Sequence, residues 1–86
     1  MVAEKEFLLF VATLFGVPSE ALSLATSYGS LPQWDSAMHI RLVMELQEKY
    51  GLELPLDAIP NMRTLADFYT RLVGHDERRT GPWNRR

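Results

Sequence analysis

A chain of 86 residues, 47% of them apolar, suits one small domain with one core and leaves little room for an assembled catalytic constellation, so a carrier, adaptor or interaction module is favoured over an enzyme. It has no cysteine, which excludes disulfides, thiolate metal sites and a cysteine nucleophile, and leaves any thiol chemistry to an attached group. Met1 to Val73 holds five Lys/Arg against nine Asp/Glu, and Gly74 to Arg86 four Arg against two acids; an acidic body lacks the clustered cations that nucleic-acid binding needs.

The first helix is expected from Ala3 to Phe15, with Phe7, Phe10, Val11 and Leu14 at i, i+3, i+4 and i+7. Leu8, Leu9 and Phe15 make it apolar on more than one face. The run from Phe7 to Phe15 is too short to span a bilayer and follows Glu4 and Glu6, so it reads as neither a membrane span nor a secretory signal. Gly16 and Pro18 stop the helix. The long connection from Val17 to Asp35 is rich in Ser, Gly and Pro, yet carries Leu22, Leu24, Tyr28 and Leu31, which predicts a loop pinned onto the core.

A second helix is expected from Ser36 to Tyr50, N-capped by Asp35 and stopped by Gly51. Leu42, Val43, Leu46 and Tyr50 face inward, while Ile40 and Met44 lie on a partly exposed flank near Ser36. After Pro55, Leu56 to Ile59 has room for about one turn of short helix before Pro60 interrupts it. The last helix reads from Thr64 to Val73, with Thr64 capping, Asp67 as the acidic N3 residue, and Leu65, Phe68, Tyr69 and Leu72 buried. Gly74 is expected to end it. The domain is therefore drawn at residues 1–74, followed by a flexible charged tail, 75–86, with Trp83 as its only substantial apolar group.

Ser36 puts an exposed hydroxyl at the first turn of an amphipathic helix, beside backbone N–H groups that favour negative charge. That is a suitable place to attach a phosphodiester. The ordered set Leu22-Ser23-Leu24-Ala25-Thr26-Ser27-Tyr28, Trp34-Asp35-Ser36, Arg41 through Pro55, and Arg63-Thr64-Leu65-Ala66-Asp67-Phe68 resembles the acyl carrier proteins of the phosphopantetheine-binding family, over roughly Phe7 to Val73. The resemblance implies an all-α bundle of three main helices plus one short helix, with the long loop between the first two.

The resemblance further implies a non-enzymatic carrier, a phosphoprotein on which a phosphopantetheinyl transferase joins the 4'-phosphopantetheine of coenzyme A to Ser36. The terminal thiol then holds acyl groups as thioesters for loading and transferring enzymes. Asp35 would position the helix start and meet the transferase, and Trp34 would pack under the loop. Met44, Ile59, Met62 and Leu65 suggest an interior that shelters an acyl chain.

The chain departs from the family pattern at Ala37, where Leu is usual, and at Met38 and Arg41, where fatty-acid-synthesis members usually carry acids. Losing two acids and gaining a cation weakens attraction to basic partners. Ala37, Met38, Ile40, Arg41 and Met44 are thus the expected partner surface of a specialised, monomeric, cytoplasmic carrier. An aminoacyl or peptidyl carrier, or an unmodified interaction module with the same fold, are the alternatives. His39, three residues after Ser36, is expected to be solvated or to face a partner. His75 has no companions at metal-ligand spacing, and no metal is expected.

Overall fold

The computed structural model describes residues 2–79 and is all-helical, with α1 over Glu4–Phe15, α2 over Ser36–Tyr50 and α3 over Leu65–Arg79. Two 3-10 turns, Ser19–Ala21 and Ile59–Asn61, lie in the connections. The core draws on all three helices: Phe7, Val11 and Phe15 from α1, Leu42, Val43 and Leu46 from α2, and Leu65, Phe68 and Leu72 from α3. Aromatic pairs mark where the helices meet. Phe7 stands 5.2 Å from Tyr69 between ring centroids, and Phe10 meets Tyr50 edge-on at 6.0 Å. The Tyr69 hydroxyl donates to the Val2 carbonyl at 2.8 Å, tying the first described residue to α3. Among the described residues the buried Tyr50 hydroxyl has no hydrogen-bond partner, and burial, with Glu6 nearby, pushes its pKa up.

Two of the expected stops are left-handed glycines: Gly16 at φ 75° ends α1, and Gly51 at φ 67° ends α2. Each amide donates back into its helix, to Ala12 and Gln47, as a glycine cap does. Gly74 behaves differently. It has no positive φ and α3 continues through it to Arg79, so the expected stop at Gly74 is wrong. Glycine costs a helix only about 1 kcal/mol relative to alanine, and the residues that follow include no proline before Pro82. Residues 75–79, drawn as the start of a tail, are helical, and the Trp83, Arg85 and Arg86 readings lie outside the described residues.

Pro60 likewise does not interrupt a helix; it sits inside the second 3-10 turn, where its missing N–H is no loss because the first positions of a turn lack partners anyway. The short fourth helix is therefore a single turn. The loop between α1 and α2 is pinned as expected: Leu22 and Trp34 are buried, and Leu24 and Leu31 are half-buried. Its backbone also pairs with the entry to α3. Tyr28 N donates to Arg63 O at 2.7 Å, Leu65 N to Thr26 O at 3.0 Å, and Ala66 N to Leu24 O at 2.9 Å.

The α3 start is a reciprocal cap. Asp67 N donates to the Thr64 hydroxyl at 3.3 Å, while the Asp67 carboxylate accepts from Thr64 N at 3.0 Å and Arg63 N at 2.8 Å. The Thr64 amide holds the Asp67 carboxyl below its ordinary 3.8, against a smaller opposing effect of burial, and the Arg63 amide and Thr64 hydroxyl add to the lowering. A carboxyl depressed in the folded state stabilises the fold above its unfolded pKa, and that stabilisation is lost as pH falls through the folded value. Chemical denaturation followed from neutral to acid pH should therefore show a component of acid destabilisation in the wild type that Asp67→Asn lacks.

Candidate functional site

Asp35, Ser36 and the first turn of α2 form the site to which the sequence pointed. Asp35 is extended, at φ −98°, and its carboxylate accepts from Met38 N at 2.9 Å, so it caps α2 as expected. Ser36 is the first helical residue and is exposed. Among the described residues, no hydrogen bond engages its hydroxyl. Ala37, Ile40, Arg41 and Met44 are exposed on the outer flank of α2. Arg41 lies 3.8 Å from Glu45, an exposed i, i+4 ion pair worth no more than about 0.5 kcal/mol. Met38 is half-buried and packs on the core, so it offers less surface than expected. Met44, at 60% exposure, does not join Ile59, Met62 and Leu65 in an interior, because it lies on the solvent side of α2.

His39 is neither solvated nor outward-facing. Trp34, fully buried, donates its indole Nε1–H to His39 Nδ1 at 3.0 Å, and His39 Nε2 lies 3.4 Å from the Ile59 carbonyl. These partners select the neutral tautomer with its proton on Nε2, since Nδ1 must accept and Nε2 must donate. The imidazole is ringed by aromatics: it lies within 26° of the plane of Trp34, to which it is hydrogen-bonded edge to edge, contacts Tyr28 at 4.8 Å between centroids, and meets Phe68 edge-on at 5.6 Å. It joins the loop, α2, the second 3-10 turn and α3 through one side chain. With both nitrogens engaged, it has no free lone pair for a reaction at Ser36.

A groove of about 360 Å³ opens beside Ser36, between the start of α2 and the second 3-10 turn. Ser36, His39 and Ile40 line it from α2, Tyr28 from the loop, and Ile59, Pro60, Met62 and Arg63 from the approach to α3. Sequence reasoning assigned Tyr28 to loop anchoring and Arg63 to the last-helix entry, and placed neither near Ser36. The backbone bond from Tyr28 N to Arg63 O is what brings them there. Among the described residues no group of His, Cys, Asp and Glu is placed to hold a metal, and no helix is long and apolar enough to cross a membrane.

The family model for the phosphopantetheine attachment site matches residues 7–72. The chain belongs to that family. No curated protein and no solved structure matches it. The match covers α1 from Phe7 onward, the pinned loop, α2 and α3 as far as Leu72, so the family's fold and the observed bundle coincide along the chain. Members of the phosphopantetheine attachment site family are carriers rather than catalysts, and their covalent prosthetic group is 4'-phosphopantetheine. They work with a phosphopantetheinyl transferase and with biosynthetic enzymes.

The Trp34–His39 hydrogen bond carries a measurable cost. In His39→Phe the ring is retained but a buried indole N–H loses its acceptor, which should cost about 1–3 kcal/mol in denaturant unfolding. Adding Trp34→Phe removes the orphaned donor, so the double variant should recover part of that loss. A double-mutant cycle with a coupling of at least about 0.5 kcal/mol is the expected outcome.

Proposed function

We propose that Ser36 is the attachment residue and that the protein is a specialised acyl carrier. The exposed, unbonded Ser36 hydroxyl on the first turn of α2, inside the family match and beside an open groove, is the observation that carries this reading. A phosphodiester fits there: the site is open to solvent, and the amides at the start of α2 point toward it. Asp35 holds the hydroxyl in place by capping the helix without occupying it. The bound group supplies a thiol, which this cysteine-free chain lacks, for carrying acyl groups as thioesters.

Attachment forms a bond from the Ser36 oxygen to the phosphorus that bears the pantetheine and breaks the pyrophosphate bridge of coenzyme A. The serine proton passes to a base on the transferase, and adenosine bisphosphate leaves. His39 is committed to Trp34 and Ile59 and is not that base.

The partner surface is Ala37, Ile40, Arg41 and Met44, with Met38 contributing its exposed edge. It is apolar with one cation paired to Glu45, which supports partners other than the basic enzymes of fatty-acid synthesis. An aminoacyl or peptidyl cargo fits the same site, and an unmodified interaction module is the reading that a failed modification would favour. We assign the carrier unit to residues 1–74, with the continuation of α3 to Arg79 as a helical extension of it, acting as a monomer in the cytoplasm, where a chain without cysteine has no disulfide to form.

Incubation with coenzyme A, magnesium and a broad-specificity phosphopantetheinyl transferase should add the mass of one phosphopantetheine to the wild type and none to Ser36→Ala. A folded wild type that gains no mass, with the transferase active on another carrier, would overturn the assignment. The specialised role predicts that a fatty-acid-synthase malonyl transferase loads the modified protein more slowly than its own carrier; equal rates would refute that part.

A further inference from the structure

The groove beside Ser36 has a chemical character of its own. Its walls are mostly apolar, from Tyr28, Ile40, Ile59 and Met62, and Arg63 is its cation among the described residues. Tyr28 and Ile40 are 37% and 51% exposed, although they border a packed core. The fold leaves them uncovered on the wall next to Ser36. Arg63 uses its backbone in the fold, donating N–H to Asp67 and accepting from Tyr28 N, and among the described residues no ion pair engages its guanidinium. The Asp35 carboxylate, adjacent to Ser36, is held at the helix cap and would repel an incoming phosphate. Arg41, farther along α2, is already paired with Glu45.

We infer that Arg63 is the counter-ion of the phosphodiester on Ser36, and that the first part of the pantetheine arm lies in this groove. The inference rests on Ser36 being the attachment residue. Whatever is esterified to Ser36 starts at the groove wall, so the tether itself delivers the occupant. The phosphodiester carries one negative charge, and the arm's dimethyl carbon follows one methylene later, which pairs an anion followed by an apolar group with a cation beside an apolar wall. A guanidinium–phosphate contact is charge-assisted and about twice as strong as a neutral hydrogen bond. The resting arm is thereby held on the side of the molecule between α2 and the second 3-10 turn, rather than free in solvent. Tyr28 and Ile40 line the groove together with the half-buried His39 and the buried Met62.

The test uses the full chain, modified with coenzyme A labelled with ¹³C in the dimethyl group, and intact mass confirms one addition before any spectrum is recorded. In the wild type, NOEs are expected from the arm methyls to Tyr28, Ile40 and Met62, along with a shift of the Arg63 Nε–H signal between the unmodified and modified forms. Arg63→Gln keeps the main-chain bonds of the residue and should fold; its amide spectrum in the unmodified form checks this. In modified Arg63→Gln the arm NOEs should be lost, while Arg63→Lys should retain them at reduced intensity. Singly modified protein with no arm NOEs to the groove, or with NOEs unchanged by Arg63→Gln, would overturn the inference while leaving the carrier assignment intact. Absence of the added mass would instead overturn the carrier assignment, and this inference with it.

Discussion

The hydrogen bond from the Trp34 indole to His39 Nδ1 is the constraint around which the site is organised. Trp34 is buried completely, and an indole N–H without an acceptor in such a place is costly, so the imidazole must sit beneath it. Once His39 is held there, its other nitrogen reaches the Ile59 carbonyl and its faces meet Tyr28 and Phe68. The orientation of the first turn of α2 follows, because His39 lies on that turn's inner side. Ser36, three residues earlier and so on the same side of the helix, lines the same groove as His39 and stands exposed at it. A buried polar contact thus sets where an exposed hydroxyl stands.

That polar centre sits within an otherwise apolar core, in which no polar or charged residue is buried among the described residues. His39 itself is half-buried, which lets its tautomer be satisfied by neighbours without burying a charge. The surface around Ser36 divides into two regions of different character. The outer flank of α2 offers Ile40 and Met44 to solvent with a neutralised cation between them, while the groove side offers Arg63, whose guanidinium is in no ion pair among the described residues. On the proposed assignments, a resting arm and visiting partners would use different sides of one helix, with Ile40 common to both.

The helices were legible from the sequence where local signals sufficed. The Asp35 cap, the Gly51 stop and the Thr64–Asp67 reciprocal cap each depend on residues within one turn of each other, and α2 has the bounds that these signals predict. Gly74 misled because a glycine marks a helix end only when the backbone there turns left-handed, and one residue type cannot show whether it does. His39 misled for a different reason: its role depends on Trp34 across the cap and on Ile59 across the fold, and helical periodicity carries no record of either. The groove was invisible for the same cause, since Tyr28 and Arg63 come together only through backbone pairing of the loop with the entry to α3. Ser36 was singled out because its neighbours along the chain, rather than its neighbours in space, carry the family's pattern.

That backbone pairing of residues 24–28 with 63–66 has a further consequence for the order in which the molecule assembles. The helices form from contacts close in sequence, whereas these main-chain bonds join segments separated by the whole of α2 and its exit loop. Closing such a long loop is an entropic barrier that the helices do not face. α2 can therefore become helical while the loop before it is still open, and a local opening at the entry to α3 releases Tyr28 and Arg63 together without unwinding the helix that bears Ser36. Completion of the groove thus depends on this long-range pairing rather than on helix formation.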